Sequence, residues 1–335
     1  MLILGIESTC DETGCSIVRD GKEILSNIVA SQTDLQSLYG GVVPELACRR
    51  HIDVLIPVID QAIQEAKVSL DDIDAIAVAK GPGLIGALLI GIQAAKGLAW
   101  AWNKPLIGVN HIEAHLYAAL MTATTPVTFP CIGAVLSGGH SSLVLIKNIG
   151  HYETIGVTVD DAIGEAFDKA AKILGLPYPG GPQIEALAKE GKDTFSLRAG
   201  QVKEKPFHFS FSGLKTGVLY AAKGKGASQE SPLIINEQEK KNLAASFQHA
   251  AFEDVIAKTT KAAQHYGCET ILFGGGVCCN ETLRKAFQET DLHCIWPPKY
   301  LCLDNAAMIA GLGYHRLALD GKDSFLLEAM TRMSF

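Results

Sequence analysis

The sequence predicts an α/β chain in which one supersecondary unit is written twice. Three observations predict it. The order strand, strand, strand, helix, strand, glycine turn, helix, strand recurs along the 335 residues. Each half opens on a three-strand run. Each half also sets a glycine-rich turn between a buried strand and a helix. Identity between the halves is negligible, so the repeat is one of pattern alone.

In the first half, Leu2 to Glu7 is an apolar run and Ser8 to Gly14 a polar turn. Cys15 to Arg19 returns as a strand, Asp20-Gly21 is a hairpin signal, and Ile24 to Val29 is a third strand. After Pro44, the residues Ile52, Leu55, Ile59, Ala62, Ile63 and Ala66 recur at helical spacing. Ala75 to Val78 is a buried strand, Gly81-Pro82-Gly83 a turn, Leu84 to Trp102 a buried helix and Leu106 to Val109 a strand. The second half repeats this with strands at Ile132 to Leu136, Ser142 to Ile146 and Tyr152 to Val157. A helix from about Asn242 to Gln264, a strand at Thr270 to Phe273, the turn Gly274-Gly275-Gly276 and a helix at Glu281 to Phe287 follow. His293 to Trp296 is a strand and Asn305 to Ala318 the last helix. Between the second three-strand run and its helix lies an insertion, about 160–240. It holds a helical run (Ile163 to Leu174), a turn (Leu176 to Pro182) and a Lys-rich stretch, Lys203 to Lys241, expected to be mostly surface loop.

Composition narrows the function. Hydrophobic residues at 48% and charged residues at 19% exclude a disordered chain. A net charge of −7 excludes a grip on nucleic acid by bulk charge, so such a partner needs a local basic patch or helper subunits. Arg49, Arg50 and the 203–241 stretch are the candidates for that patch, with a solvated surface as the alternative. Nine cysteines without a CxxC pair read as reduced cytosolic thiols. The first residues lack the basic start of a signal peptide, and Gln93 and Lys96 interrupt the longest apolar stretch, so no membrane association and a cytoplasmic location are expected.

Five stretches are candidates for chemistry. Gly81, Gly83 and Gly86 spell GxGxxG, but the next strand ends Gly108-Val109-Asn110 without the acid of a dinucleotide site. Gly274-Gly275-Gly276-Val277 lacks the Lys-Ser/Thr of a P-loop. Both turns, and Ser137-Gly138-Gly139, still offer exposed backbone amides that attract phosphate; taken singly, each is also an ordinary tight turn. His111-Ile112-Glu113-Ala114-His115 places two imidazoles on one helix face. The zincin pattern needs Glu at 112, and Glu113 lies about 200° round the helix from His111. With Asp304 as third ligand the set suits iron or zinc; solvated histidines and Asp304 as a helix cap are the plainer alternative. Asp11 and Glu12, in the first hairpin turn, serve either as polar turn residues or as a metal or water ligand and proton acceptor. Lys169 and Lys172 read as a solvated face beside Asp168.

The duplicated pattern resembles the superfamily of actin, the heat-shock chaperone ATPases and the sugar kinases. That likeness implies two lobes around a nucleotide cleft: 1–128, with 304–335 packing back on it, and 129–303, which carries the insertion. More specifically, the chain resembles the TsaD family, long labelled a glycoprotease. The residues that carry this likeness are Gly5-Ile-Glu-Ser-Thr-Cys-Asp-Glu-Thr13, Val109-Asn-His-Ile-Glu-Ala-His115, Leu136-Ser-Gly-Gly-His140 and Gly164-Glu-Ala-Phe-Asp-Lys169. Tyr178-Pro-Gly-Gly-Pro182, Phe209-Ser-Phe-Ser-Gly-Leu-Lys215, Gly274-Gly-Gly-Val277 with Asn280, and Asp304-Asn-Ala-Ala-Met308 complete the set. The resemblance implies transfer of a threonylcarbamoyl group from threonylcarbamoyl-adenylate to the exocyclic amine of the adenosine 3′ of the anticodon, in tRNAs reading codons that begin with A. AMP leaves.

The same resemblance implies the site. Metal ligands are His111, His115 and Asp304, holding one iron or zinc ion. Leu136, Ser137, Gly138, Gly139 and His140 line the substrate, with Gly275 in the facing turn. Asp168, Gly181 and Glu185 meet the ribose and adenine side and Asn280 the nucleoside, so adenine nucleotides are expected ligands too. Asp11, Glu12 and His140 stand at the chemistry. Partners implied are tRNA, a pseudo-paralogous TsaB-like subunit and a small TsaE-like ATPase. Departures are Cys278-Cys279 where Ser-Ala is usual, Leu303 where Thr is usual, and the ending Met330 to Phe335. A metalloprotease, a small-molecule kinase of the same superfold and an actin-like scaffold remain as rival readings.

Overall fold

The computed structural model describes residues 1–333. Ser334 and Phe335, the end of the unusual terminus, lie outside the described residues. The chain forms two compact units. One holds Met1–Val127, Asn148–Tyr152 and the residues from Pro297 on; the other holds Thr128–Lys147 and Glu153–Trp296.

The first unit is built on a five-stranded sheet of β1 (Leu2–Glu7), β2 (Glu12–Arg19), β3 (Glu23–Ser31), β4 (Ala75–Gly81) and β5 (Leu106–Asn110), in the order β3-β2-β1-β4-β5. β1 and β2 pair antiparallel, as do β2 and β3 through the Asp20-Gly21 turn, whereas β1, β4 and β5 run parallel. Their helices are α1 (Thr33–Ser37), α2 (Pro44–Ala66), α3 (Ile85–Ala101) and α4 (His111–Thr122). Parallel strands need crossover helices, and α3 between β4 and β5 supplies one. On one sheet face, Leu4, Ile6 and Ile76 pack with Leu55, Ile59, Leu88 and Ile92 of α2 and α3.

The second unit repeats the topology. Its strands are β6 (Cys131–Leu136), β7 (Ser141–Asn148), β8 (His151–Val157), β9 (Thr270–Gly274) and β10 (His293–Ile295), in the order β10-β9-β6-β7-β8. Here β6 and β7 pair antiparallel, while β6, β9 and β10 run parallel. The helices are α5 (Ile163–Ile173), α6 (Gly180–Ala188), α7 (Ser212–Lys223), α8 (Glu237–Tyr266) and α9 (Glu281–Phe287). The last helix, α10 (Ala306–Asp320), returns to the first unit, where Ala307, Ile309, Ala310 and Leu312 pack with Ile3, Ala77 and Val109.

The insertion departs from expectation. The 203–241 stretch is not a surface loop throughout. Phe207, Phe209 and Phe211 are buried, and α7 follows them with Leu214, Val218 and Ala222 facing inward. The turn expected at Leu176 to Pro182 runs straight into α6, whose first turn accepts Pro182 because that position needs no intrahelical donor. α3 is a helix as expected, but only one face is buried; Ile85, Leu89 and Trp100 are exposed. Among the described residues no helix is long and apolar enough to cross a membrane. The cysteines are all free thiols.

Candidate functional site

In the first unit the candidate site residues gather at the carboxyl ends of the parallel strands, where ligands commonly bind in α/β sheets. β5 runs into α4 with no loop between them. The Asn110 side chain caps the helix, accepting from Ile112 N–H at 2.9 Å and Glu113 N–H at 3.3 Å. His111 is therefore the first helical residue, and His115 sits one turn on. Their rings are 4.6 Å apart at 77°, and both are buried. Asp304 arrives from the turn before α10. Its Oδ1 lies 3.5 Å from His111 Nε2 and 3.1 Å from His115 Nε2. The cap of α10 is Asn305, which accepts from Met308 N–H, so Asp304 is not spent as a helix cap.

Three observations test whether these residues suit a metal. The donor atoms lie within 4.8 Å of one another. Ligands about 2 Å from a tetrahedral ion stand roughly 3.3 Å apart, close to the two separations above. Behind His111, the fully buried Glu7 places Oε2 2.9 Å from Nδ1, while its Oε1 accepts from Thr9 N–H at 2.6 Å. An Nδ1–H donated to Glu7 leaves Nε2 facing Asp304. Burial opposes charge on His111, yet Glu7 and Asp304 outweigh it and lift the ring to about 9. The cluster therefore attracts positive charge. His115 Nδ1 is buried without a hydrogen-bond partner among the described residues. Two imidazole nitrogens, one carboxylate and a local demand for positive charge fit a divalent cation.

Glu113 faces elsewhere, as its position on the helix requires, and pairs with Arg316 at 2.5 Å. Asp11 ends the turn after β1, and Glu12 opens β2, three residues earlier than expected. Burial, Asp304 and Asp11 push the Glu12 carboxyl up to about 10, and Asp11 hydrogen-bonds it. Burial, with Asp11 and Asp304, also raises the Cys10 thiol. This turn is held by His51, which sequence reasoning missed. His51 Nε2 donates to Cys10 carbonyl at 2.9 Å, and Nδ1 accepts from Thr13 Oγ1 at 2.7 Å. Burial lowers the His51 pKa, in keeping with a neutral ring. The GxGxxG turn acts on the same loop. Leu84 N–H donates to Thr9 carbonyl at 2.9 Å, and a Cβ on Gly83 would stand 2.6 Å from that oxygen. Gly83 thus permits close packing against the turn after β1, whereas Gly81 and Gly86 pack against Met330 and Cys48.

The second unit offers backbone instead. The turn after Leu136 is closed by Ser137 N–H to His140 carbonyl at 2.8 Å and His140 N–H to Ser137 Oγ at 3.0 Å. Gly138 and Gly139 are exposed. Gly275, at φ 95°, packs on this turn; a Cβ there would lie 2.4 Å from Leu136 carbonyl. Gly164, in the first turn of α5, donates to Ser137 carbonyl at 3.2 Å.

Four predicted or neighbouring polar side chains hold helix starts. Asp168 accepts from Gly180 N–H at 2.7 Å, next to Gly181 at the start of α6. Glu185 accepts from Glu281 N–H at 3.0 Å. Asn280 caps α9, accepting from Thr282 and Leu283, and donates to Gln248 at 2.9 Å. Asp160 accepts from Ser210, Ser212 and the Phe211 and Ser212 amides, filling the amino end of α7. Lys169 is not simply solvated, since it pairs with Asp161 at 2.6 Å and Glu165 at 2.8 Å. The Cys278 thiol is fully buried and donates to Gly274 carbonyl, so this unusual residue is structural.

Two like-ordered mixed sheets define the class: a duplicated α/β fold of the actin and heat-shock-ATPase kind. Solved structures support that class. HypF in a phosphate- and nucleotide-bound form matches with a TM-score of 0.62 at 14% identity, over 96% of this chain and 56% of that one. Component A of the (R)-2-hydroxyglutaryl-CoA dehydratase of Acidaminococcus fermentans matches with a TM-score of 0.55 at 16% identity, over 95% and 99%. The TsaD family model, described as tRNA N6-adenosine threonylcarbamoyltransferase, matches residues 23–311. A relative of that description in Protochlamydia amoebophila is 63% identical over 99% of this chain and 98% of its own length. Another, in Bacillus subtilis, is 47% identical over 93% and 90%. The chain belongs to the TsaD family and is a transferase.

Proposed function

We propose that this protein transfers a threonylcarbamoyl group from threonylcarbamoyl-adenylate to the exocyclic amine of the adenosine 3′ of the anticodon, in tRNAs reading codons that begin with A, with release of AMP. Family membership supports the reaction class. The observation that carries the site is the convergence of His111, His115 and Asp304, backed by Glu7.

An attacking amine needs an electrophilic carbamoyl carbon, a stabilised leaving phosphate and a proton acceptor. His111, His115 and Asp304 hold one iron or zinc ion, which when bound supplies Lewis-acid polarisation of an oxygen. The amides of Gly138 and Gly139, in the turn that Ser137 and His140 close, bind and orient the phosphate with those of the Gly275 turn, without adding negative charge. Asp168, Gly181, Glu185 and Asn280 shape the nucleoside end, and the caps they form fix its outline. Glu12, raised by burial, stays protonated near neutral pH and hydrogen-bonds Asp11, which accepts the amine proton. His140 lies where the phosphate turn ends and donates to the departing group. The acidic chain shares its hold on tRNA with a TsaB-like subunit and a TsaE-like ATPase in the cytoplasm, and that hold weakens with salt.

The test supplies threonylcarbamoyl-adenylate, prepared separately, to the chain, its partner subunits and unmodified tRNA, then digests the tRNA to nucleosides. The modified adenosine is expected without added ATP or threonine. A preparation that forms none, yet phosphorylates a small molecule from ATP, contradicts the proposal.

A further inference from the structure

We infer that Glu7 is a positioning residue for the metal centre, holding His111 so that its Nε2 faces the cation seat. The inference rests on the proposed seat at His111, His115 and Asp304. Glu7 is an acid at the end of an otherwise apolar strand and has no solvent exposure. An acid is seldom buried this completely without partners that use both oxygens. Here both are used. Oε2 is 2.9 Å from His111 Nδ1, and Oε1 takes the Thr9 amide at 2.6 Å. Neither oxygen is needed by the strand ladder.

The loop that carries this contact is braced. Ser8 Oγ donates to Ala87 carbonyl at 3.0 Å, and Leu84 N–H donates to Thr9 carbonyl at 2.9 Å. Thr9 Oγ1 is 3.4 Å from His111 Nδ1 as a weaker second partner. A carboxylate that accepts from one imidazole nitrogen fixes which nitrogen carries the proton and raises the donor strength of the other. Glu7 thus sets ring orientation and tautomer for a ligand 104 residues away in sequence.

Glu7→Gln is the discriminating variant because it keeps shape and volume. An amide has one acceptor oxygen, so its NH2 must face either the Thr9 amide or His111 Nδ1. Both arrangements disturb what the carboxylate holds. The measurement is zinc(II) affinity of the metal-free protein, by competition with a chromophoric chelator at fixed pH. Loss of such a partner typically costs about 10–100-fold in metal affinity, and that range is expected for Glu7→Gln. In a His111→Ala background the same substitution should change affinity less than about 2-fold, because the residue through which it acts is gone.

Unchanged affinity in Glu7→Gln overturns the inference. An equal loss in the His111→Ala background also overturns it, since Glu7 would then act by another route. If Glu7→Gln does not fold, the zinc-loaded wild type decides by long-range nitrogen–proton NMR. His111 protonated on Nδ1 supports the inference, and His111 protonated on Nε2 overturns it. A wild type that binds no zinc contradicts the metal seat itself, which separates that failure from failure of the Glu7 role.

Discussion

The two units share one topology and present different groups at the same end of it. In the first, the carboxyl ends of the strands present side chains: Glu7, His111, His115, Asp304, Asp11 and Glu12, with burial, then Asp304 and Asp11, pushing Glu12 up to about 10. In the second, the corresponding end presents backbone amides, and the polar side chains Asp160, Asp168, Glu185 and Asn280 hold helix starts in place. A cation is held by side-chain donors whose charge must be concentrated. An anion is held by amides whose geometry must be fixed. The repeated topology gives the frame, and the turns after β1 and β6 give the difference.

If that division is right, the largest effects should come from the first unit's side chains. His111→Ala is expected to be purified without its ion and to abolish transfer, read by metal analysis and nucleoside mass spectrometry, with only a weak residual affinity at His115 and Asp304 left to titrate. Asp11→Asn should lower the rate by roughly 10²–10⁴-fold, as for loss of a proton acceptor, while metal content and tRNA binding stay intact. A variant that keeps its rate would move the acceptor elsewhere.

In the second unit, backbone geometry should matter more than side-chain charge. Gly275→Ala places a Cβ against Leu136 carbonyl at a positive φ, a strain of about 1–3 kcal/mol. It should weaken binding of the adenylate and lower the Tm together. Burial raises the Asp160 pKa, but the Ser210 and Ser212 hydroxyls and the two amides outweigh it and hold the carboxyl below its ordinary 3.8. A depressed pKa contributes stability above the unfolded value that is lost as pH falls through the folded one. Asp160→Asn should therefore lower stability near pH 7 and flatten the acid limb of the Tm profile below about 3.8. Asn280→Ala should cost about 1 kcal/mol by loss of the α9 cap. The smallest effect is expected for Leu303→Thr, an exposed position, at within about 0.5 kcal/mol and with unchanged activity.

Much of this frame was legible from the sequence. Apolar runs bounded by turns located the ten strands among the described residues to within about three residues, the parallel ones because buried parallel strands read as continuous apolar segments. The His-x3-His spacing predicted one helix face for His111 and His115, since helical periodicity alone fixes that relation. α7 was missed because Gly213, Thr216 and Gly217 dilute its helical signal. Its buried residues Leu214, Val218 and Ala222, four apart, were the available sign. Glu7 and His51 were invisible as contacts, because a partner far away in sequence leaves no local period. Asp168, Glu185 and Asn280 were expected against substrate; their cap contacts depend on where other helices begin, which no spacing encodes.

The division between side-chain and backbone sites is tested most directly by counting metal. Wild type and His115→Ala would be purified without oxygen, checked for equal folding by circular dichroism, and analysed for iron and zinc by mass spectrometry. The account predicts one ion per chain in the wild type and none in the variant. A folded His115→Ala protein that retains its ion, or a wild type that takes up neither metal, would contradict it.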